Sequence, residues 1–589
     1  MRKSGKKFWM WTIGTIALLV MASIIGWFFL KKELSVPNSG AEKKMSELFT
    51  KMIIEASDSL YKVSYTKFDI DLASGRGTIT NFKLTADSVV LKRLSKSHRQ
   101  PNNLMDISIH SLHIDGLHFT KTDQGRKLGI QNIILQKPSI KIVNKLQAYR
   151  INGDQAKQRN FFSLVQTLFK LCEIKTLTIR QMDFAYLNNN GPALRRTDLK
   201  NLNVDISGLT AVESNIDGTK STAIRILKNK LATPDSLYFL TIEDFKFMPG
   251  KGLASIKLAE LRPRLGKTAF FKSVKWAKDR ILIIYHDLSI KHINLQQFLE
   301  KQHVQIGLMQ SSSSFAEVYT NYSWPRHIPP IRPYPFPHQQ LKNIAFDITI
   351  DTMKLNNAET HWRVFAAHSR HVSSLDILKT NGTILNLTNN RERIATTGYT
   401  NLSVHCLVNN AAPMHLKMNF NLKDNNGEFT ASSIMGKMDA RLLNRFSEPF
   451  SMIRIKEGII DQMELQLKAN DKGGSGNVNL YYTGMKIALL KRDKETNKLK
   501  QRKLISAISN AILPNDNPTK NGKFKKGPIN VRREANQSFF GFLSKCMIDG
   551  MSSAMTGLAQ EKKKKDSNII TKIGGKIVGQ PNKMKKNNN

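Results

Sequence analysis

One short pattern returns eight times along this chain of 589 residues: an apolar residue, a spacer, an aliphatic residue, two polar residues or Gly, an apolar residue, a polar spacer and a last apolar residue. The copies are Gly77-Ile79-Phe82-Leu84, Leu112-Ile114-Leu117-Phe119, Ile133-Leu135-Pro138-Ile140, Leu177-Ile179-Met182-Phe184, Leu240-Ile242-Phe245-Phe247, Leu288-Ile290-Ile293-Leu295, Ile348-Ile350-Met353-Leu355 and Gly458-Ile460-Met463-Leu465. A strand alternates faces with period two, so the step of three between the second and third apolar places puts half of each copy on the wrong side unless the backbone resets. Asp115-Gly116 suits a tight turn at that point. Arg180-Gln181, Glu243-Asp244 and Lys291-His292 do not, and the pattern therefore predicts bent strands carrying a bulge, with one continuous apolar face. The uneven spacing of the copies predicts an antiparallel sheet with loops and inserts of varying length, not a solenoid of fixed period.

The stretch Phe8 to Leu30 has no charged residue in 23 positions, about 35 Å of helix, enough to cross a hydrocarbon core of about 30 Å. Trp9, Trp11 and Trp27 mark its ends, and Arg2, Lys3, Lys6 and Lys7 precede it. Residues 1–7 are thus expected to form a cytoplasmic tail and 8–30 a single uncleaved transmembrane anchor, with the bulk of the chain on the far side of the membrane. The recurrence of Met45, Leu48, Phe49, Met52, Ile53, Ala56 and Leu60 predicts a juxtamembrane amphipathic helix within 31–60.

From Tyr61 the period becomes two, and 61–310 reads as an N-terminal β-groove interrupted by a short helical insert from Phe161 to Leu171. Ser and Pro crowd 311–340, which predicts a long loop with neither ladder strand nor helix. Strands resume over 341–490, with turns expected at Asn425-Asn426-Gly427 and Gly473-Gly474-Ser475-Gly476. A basic linker (491–535) precedes an amphipathic helix (536–560) and a basic disordered tail (561–589). The stripe Phe540, Leu543, Met547, Met551, Met555 and Leu558 gives that helix two readings: it lies on a membrane surface, or it closes the end of the sheet.

Lys and Arg number 90 against 46 Asp and Glu, a net charge of +44. Such a balance fits nucleic acid or anionic lipid. The anchor removes the body from nucleic acid and no recognition motif is present, so phospholipid headgroups or lipopolysaccharide phosphates are the expected counter-charge. Cys172, Cys406 and Cys546 are too few and too far apart for a disulfide framework or a metal site. No nucleophile elbow or Gly-rich phosphate loop occurs, and the trios His110, His113, His118 and His361, His368, His371 read as surface histidines. The chain is expected to be no enzyme and to need no cofactor or metal.

The anchor, the segment Gly75-Arg76-Gly77-Thr78-Ile79-Thr80-Asn81-Phe82 and the repeated Leu-x-Ile strands resemble the AsmA-like proteins of Gram-negative envelopes. Asp439 to Asn444, Ile455 to Ile460 and Gly476 to Ile487 look like the terminal repeat of that family, and Asn517-Pro518 with the following basic run and Phe539-Phe540 looks like the tail of its Bacteroidetes members. The resemblance implies a mainly β fold: an N-terminal transmembrane helix followed by an extended, folded-over antiparallel β-sheet forming a groove, with a few amphipathic helices, held in the inner membrane and reaching into the periplasm. It implies phospholipid transport or outer-membrane biogenesis. Ile79, Phe82, Ile114, Leu117, Ile179, Met182, Ile242, Phe245, Ile290, Ile293, Ile350, Met353, Ile460 and Met463 are then the expected groove lining. The competing reading is an envelope scaffold whose apolar face is a sealed core and whose basic surface binds a protein partner or peptidoglycan. Strands of about ten residues spaced at about 4.8 Å predict a groove well over 100 Å long before folding-over shortens it.

Overall fold

A computed structural model describes the span 57–556 except for 72–73, 123–124, 148–170, 190–193, 213–221, 298–302, 326–333, 503–513 and isolated positions, together with a few positions from 47 to 54. The anticipated anchor, most of the juxtamembrane helix, the insert from Phe161, Leu558 and the basic tail lie outside the described residues. Among the described residues no helix is long and apolar enough to cross a membrane.

Among the described residues the alternating segments form one sheet of 25 strands. First come β1 (Tyr61–Ser64), β2 (Lys67–Asp71), β3 (Arg76–Ala86), β4 (Asn103–Asp115), β5 (His118–Thr122), β6 (Gly125–Gln136), β7 (Ser139–Asn144), β8 (Leu171–Asn188) and β9 (Arg195–Val212). The middle holds β10 (Ala223–Ala232), β11 (Tyr238–Met248), β12 (Leu253–Pro263), β13 (Arg280–Asn294), β14 (His303–Gln310), β15 (Ser313–Asn321), β16 (Asp347–Ala366) and β17 (His371–Thr388). The last part holds β18 (Tyr399–Val408), β19 (Ala412–Asn421), β20 (Phe429–Met435), β21 (Met438–Asp439), β22 (Ile453–Ala469), β23 (Gly473–Arg492), β24 (Leu499–Gln501) and β25 (Gly527–Arg532). Described helices include α1 (Ser88–Lys96), α2 (Lys267–Val274), α3 (Pro337–Leu341), α4 (Arg391–Thr397), α5 (Asn444–Ser451) and α6 (Phe539–Thr556).

The face is reset by single residues in the left-handed region. In six of the eight copies the second spacer has positive φ: Asn81, Gly116, Lys137, Gln181, Asp244 and His292. In the seventh copy the left-handed residue is Asn386 on the opposing strand, and the eighth has a register shift between Ile460 and Gln462. The same device recurs at Asn201, Gly208, Asp287, Asn357 and Gly484, each flanked by apolar residues two before and one after. A left-handed residue breaks the period of two for one step, so the next side chain returns to the motif face. The backbone N–H stranded at such a crease finds a side chain on the neighbouring strand: Gln181 N–H donates to Asn203 Oδ1 at 3.1 Å, Asn201 N–H to Asp183 Oδ1 at 3.0 Å and Asn357 N–H to Asn381 Oδ1 at 3.0 Å.

Most neighbours pair antiparallel, but two seams are parallel, which corrects the purely antiparallel expectation. β8 runs parallel to the collinear pair β6 and β7, and β16 runs parallel to the collinear pair β14 and β15. Parallel neighbours need a long crossover, supplied here by 145–170 and 322–346. Both seams join residues 44 positions apart: Lys127 with Leu171 and Ser139 with Asp183, then His303 with Asp347 and Ser314 with Ala358. The equivalence extends further. Leu112, Ile114 and Leu117 stand 176 positions before Leu288, Ile290 and Ile293, and the left-handed Gly116 and Gln181 stand 176 before His292 and Asn357. The carboxamides of Asn203 and Asn381 serve equivalent creases. The spans β4–β9 and β13–β17 are two copies of one unit, so the copies are not spaced at random.

Other boundaries differ from expectation. The Ser-rich start of 311–340 is strand β15, and Pro337 opens α3, because Pro is tolerated in the first turn of a helix. The supposed linker 491–535 contributes β24 and β25 to the sheet. Gly473–Gly476 is not a turn but the start of β23, and the turn precedes it. Gly427, by contrast, has φ 71 in the turn between β19 and β20 as anticipated. Collinear pieces counted together leave nineteen rows of strands among the described residues, roughly 85 Å at about 4.8 Å per row.

The left-handed creases generate a test at Gln181, which has no local reason to favour positive φ. Gln181→Gly is expected to hold or raise the urea midpoint, Gln181→Val to lower stability by about 1–2 kcal/mol, and Asn203→Ala, which orphans the crease N–H, by a similar amount.

Candidate apolar groove

The buried apolar side chains of the sheet gather in four clusters of unequal closure. The first cluster spans β1–β10 with 26 buried apolar residues and 14 half-buried ones packed on them. The last spans β17–β25 with 24 buried and 15 half-buried. Between them the proportion inverts. Ala254, Ile290, Ile306, Ile350 and Met353 are buried, while eleven others, including Phe245, Phe247, Tyr285, Ile293 and Leu387, are half-buried. The middle of the sheet is therefore an apolar strip left partly open between two sealed cores, and the same strands also carry a small sealed cluster in which Phe270 and Phe271 of α2 pack with Tyr238 and Tyr319.

The fourteen anticipated lining residues distribute over these stretches. Ile79, Phe82, Ile114, Leu117 and Ile179 are buried in the first core with Met182 at its margin, and Ile460 and Met463 lie inside the last. Phe245, Ile290, Ile293, Ile350 and Met353 gather on the open strip, and Ile242 is half-buried on β11 beside them. One geometric rule places all of them on one face, and Ile242, Phe245 and Ile293 are the half-buried members of the middle group.

Helix α6 closes the last core. Gly474 lies under Cys546 and Phe542, and a Cβ there would stand 2.8 Å from the Cys546 sulfur. A Cβ on Gly550 would collide with Val478, so glycines on both partners permit the approach of helix to sheet. Leu543, Met547, Met551 and Met555 pack half-buried against this core, whereas Phe540 is 38% exposed. Of the two readings of this stripe, the packing is that of a helix closing a sheet.

Arg533 ties the crossover 322–346 to this closure. Its guanidinium lies 3.8 Å above the Phe336 ring, donates to Asp471 Oδ1 at 2.6 Å and to the Gln537 carbonyl at 3.1 Å, and also bonds the Tyr334 carbonyl. Burial lowers its pKa to about 10 against the opposing pull of Asp471. Phe336 is fully buried, with its ring 5.3 Å from Phe429 and 5.7 Å from Phe539. Helix α3 follows directly and is held over the sheet.

Beneath α3 lies a cavity of about 410 Å³, lined by Pro337, His338, Leu341, Ile384, Leu387 and Phe420 among others. Ile384 and Leu387 also belong to the open strip, so the cavity is continuous with it. His338 is 4% exposed, neither ring nitrogen has a hydrogen-bond partner, and burial lowers its pKa to about 4, with Lys342 acting in the same direction and Asp424 against it.

The histidine trios stay apart from this strip. His110, His113 and His118 are exposed, as anticipated. His361 is not a free surface group: it lies 2.7 Å from Asp376, which also pairs with Arg363 at 2.6 Å. Burial alone would raise the Asp376 carboxyl, but these two partners hold it below its usual range. His368 is exposed, as anticipated. Among the described residues no group of three or more His, Cys, Asp or Glu side chains is arranged to hold a metal ion. No protein-family model matches the chain, and no curated protein matches it.

The neutral His338 makes stability depend on pH. Its folded pKa lies near 4 against 6.5 unfolded, so between those values the unfolded state binds the extra proton and stability falls as pH falls. The whole effect is at most about 3 kcal/mol. Urea midpoints taken from pH 7 down to pH 4 are expected to drop, and His338→Phe is expected to flatten that part of the profile.

Proposed function

We propose that this chain is an inner-membrane-anchored periplasmic protein whose β-sheet holds phospholipid acyl chains along the open strip of its motif face, in lipid transport or outer-membrane biogenesis. The observation that supports this reading is the inversion of closure in the middle of the sheet, where Phe245, Phe247, Ile293 and Leu387 remain half-buried on a face that is sealed on either side. Acyl chains along such a strip would remove that surface from water at about 25 cal/mol per Å² while headgroups stay wet. The excess of basic residues supplies counter-charge for phosphate. The N-terminal uncharged stretch and the resemblance to AsmA-like proteins support the membrane-anchored, periplasmic part of this reading.

The second reading is a non-transporting envelope scaffold, favoured by the full burial of Ile79, Phe82, Ile114 and Ile179 in an ordinary core. The two separate on one preparation. The chain from Ser35 onward, freed of its anchor and extracted with organic solvent, is expected to yield phospholipid well above a control protein. Phe245→Asp with Ile293→Asp is expected to reduce that yield several-fold with unchanged circular dichroism. Recovery at the control level from the unsubstituted protein favours the scaffold.

A further inference from the structure

The cavity under α3 differs in kind from the strip it opens onto. Its volume of about 410 Å³ falls in the range of small-molecule sites of roughly 300–1,000 Å³, which are mostly apolar with a few placed polar groups. Two polar side chains of its wall are already satisfied: Thr400 donates to the Asn386 carbonyl at 2.7 Å, and Gln340 donates to the Pro335 carbonyl at 2.8 Å. His338 is the exception. Its ring is held between Phe336 and Phe420, with centroids 6.1 Å and 5.1 Å away, and both nitrogens lack partners. A buried polar group without a partner costs about 1–3 kcal/mol, which a ligand supplying the missing bond recovers. The surrounding lining of Leu341, Ile384, Leu387, Leu402 and Phe420 offers nothing to a charged group, so an ionised headgroup is excluded by desolvation.

We infer that this cavity is a binding site for a single alkyl chain bearing a neutral oxygen, a hydroxyl or ester carbonyl, that hydrogen-bonds His338. The inference rests on the lipid-holding reading of the strip and names a distinct subsite within it. A neutral imidazole presents one donor and one acceptor, so a hydroxyl engages either nitrogen and an ester carbonyl accepts from the protonated one. The position of α3 on the crossover between β15 and β16 makes the site a side chamber of the strip, with Arg533 and Phe336 fixing its roof.

The test uses the full chain and two probes that differ only in a hydroxyl, 1-dodecanol and dodecane, with binding read from the side-chain resonances of ¹⁵N-labelled histidine and by calorimetry. Dodecanol is expected to bind about 3- to 10-fold more tightly than dodecane, as one hydrogen bond provides, and to shift the His338 resonances. His338→Phe keeps the ring in place and is expected to abolish the preference while retaining dodecane. Leu402→Trp, which fills the cavity, is expected to weaken both probes, and its circular dichroism reports whether the sheet is intact. Equal affinity for the two probes overturns the assignment, as does a preference that survives His338→Phe or binding indifferent to Leu402→Trp in a folded protein. Phospholipid recovery from the strip is measured separately, so loss of the subsite and loss of the strip are distinguishable.

Discussion

A left-handed residue inside a strand is the constraint on which this sheet depends. β8, β9 and β17 are 18 residues long and β16 and β23 are 20, against a usual strand of about 5–6. Such strands must bend to follow the twist of their neighbours, and a bend that shifts the pleat by one residue would carry the apolar set into water. The creases at Asn81, Gln181, Asn201, Asp244 and their equivalents reset the pleat where the bend falls. Asn, Asp and Gly occupy most of these positions, since they meet little cost at positive φ, and the cross-strand carboxamides of Asn203 and Asn381 take the displaced N–H groups.

That constraint sets the rest of the architecture. Because the creased rows keep one apolar face, the motif residues share a side of the sheet, and Phe336 after β15 packs over it. Where helix and crossover add cover, as α6 and Phe336 do, the face becomes a core. Between Ala254 and Leu387 less of it is covered, apart from the cluster that Phe270 and Phe271 of α2 seal. Closure of the last part depends on glycines at Gly474 and Gly550 and on the buried Arg533–Asp471 pair, whose disruption leaves a charge without compensation.

Much of this was legible in the residues. The step of three predicted bent strands with one apolar face, and the face-restoring break stands at the predicted two spacers in most copies. The expectation of a bulge was right about the bend and incomplete about its form, because Lys137 and Gln181 carry no local signal for positive φ; their conformation is imposed by neighbouring strands. The duplication was also written in the sequence, as the 176-residue interval between the second and sixth copies, but six further copies at other intervals masked it. The Pro-rich stretch misled for a different reason: Pro disfavours the interior of a helix or ladder, and here it opens a helix instead. The pocket gave no signal at all, since His338, Ile384 and Phe420 meet only through contacts between residues far apart in the chain.

The openness of the middle strip bears on function through its size. Monomeric proteins rarely leave wide apolar patches in water, because such patches associate. The half-buried residues from Phe245 to Leu387 extend across β11–β17. Self-association would cover them, but a surface with a net charge of +44 resists bringing two copies together. Amphiphiles with anionic headgroups would, on the proposed reading, meet both demands at once, their chains covering the strip and their phosphates drawing on the positive charge. On the proposed reading, the same two features that make the isolated chain poorly suited to water, its open apolar middle and its unbalanced charge, are complementary to a single class of partner.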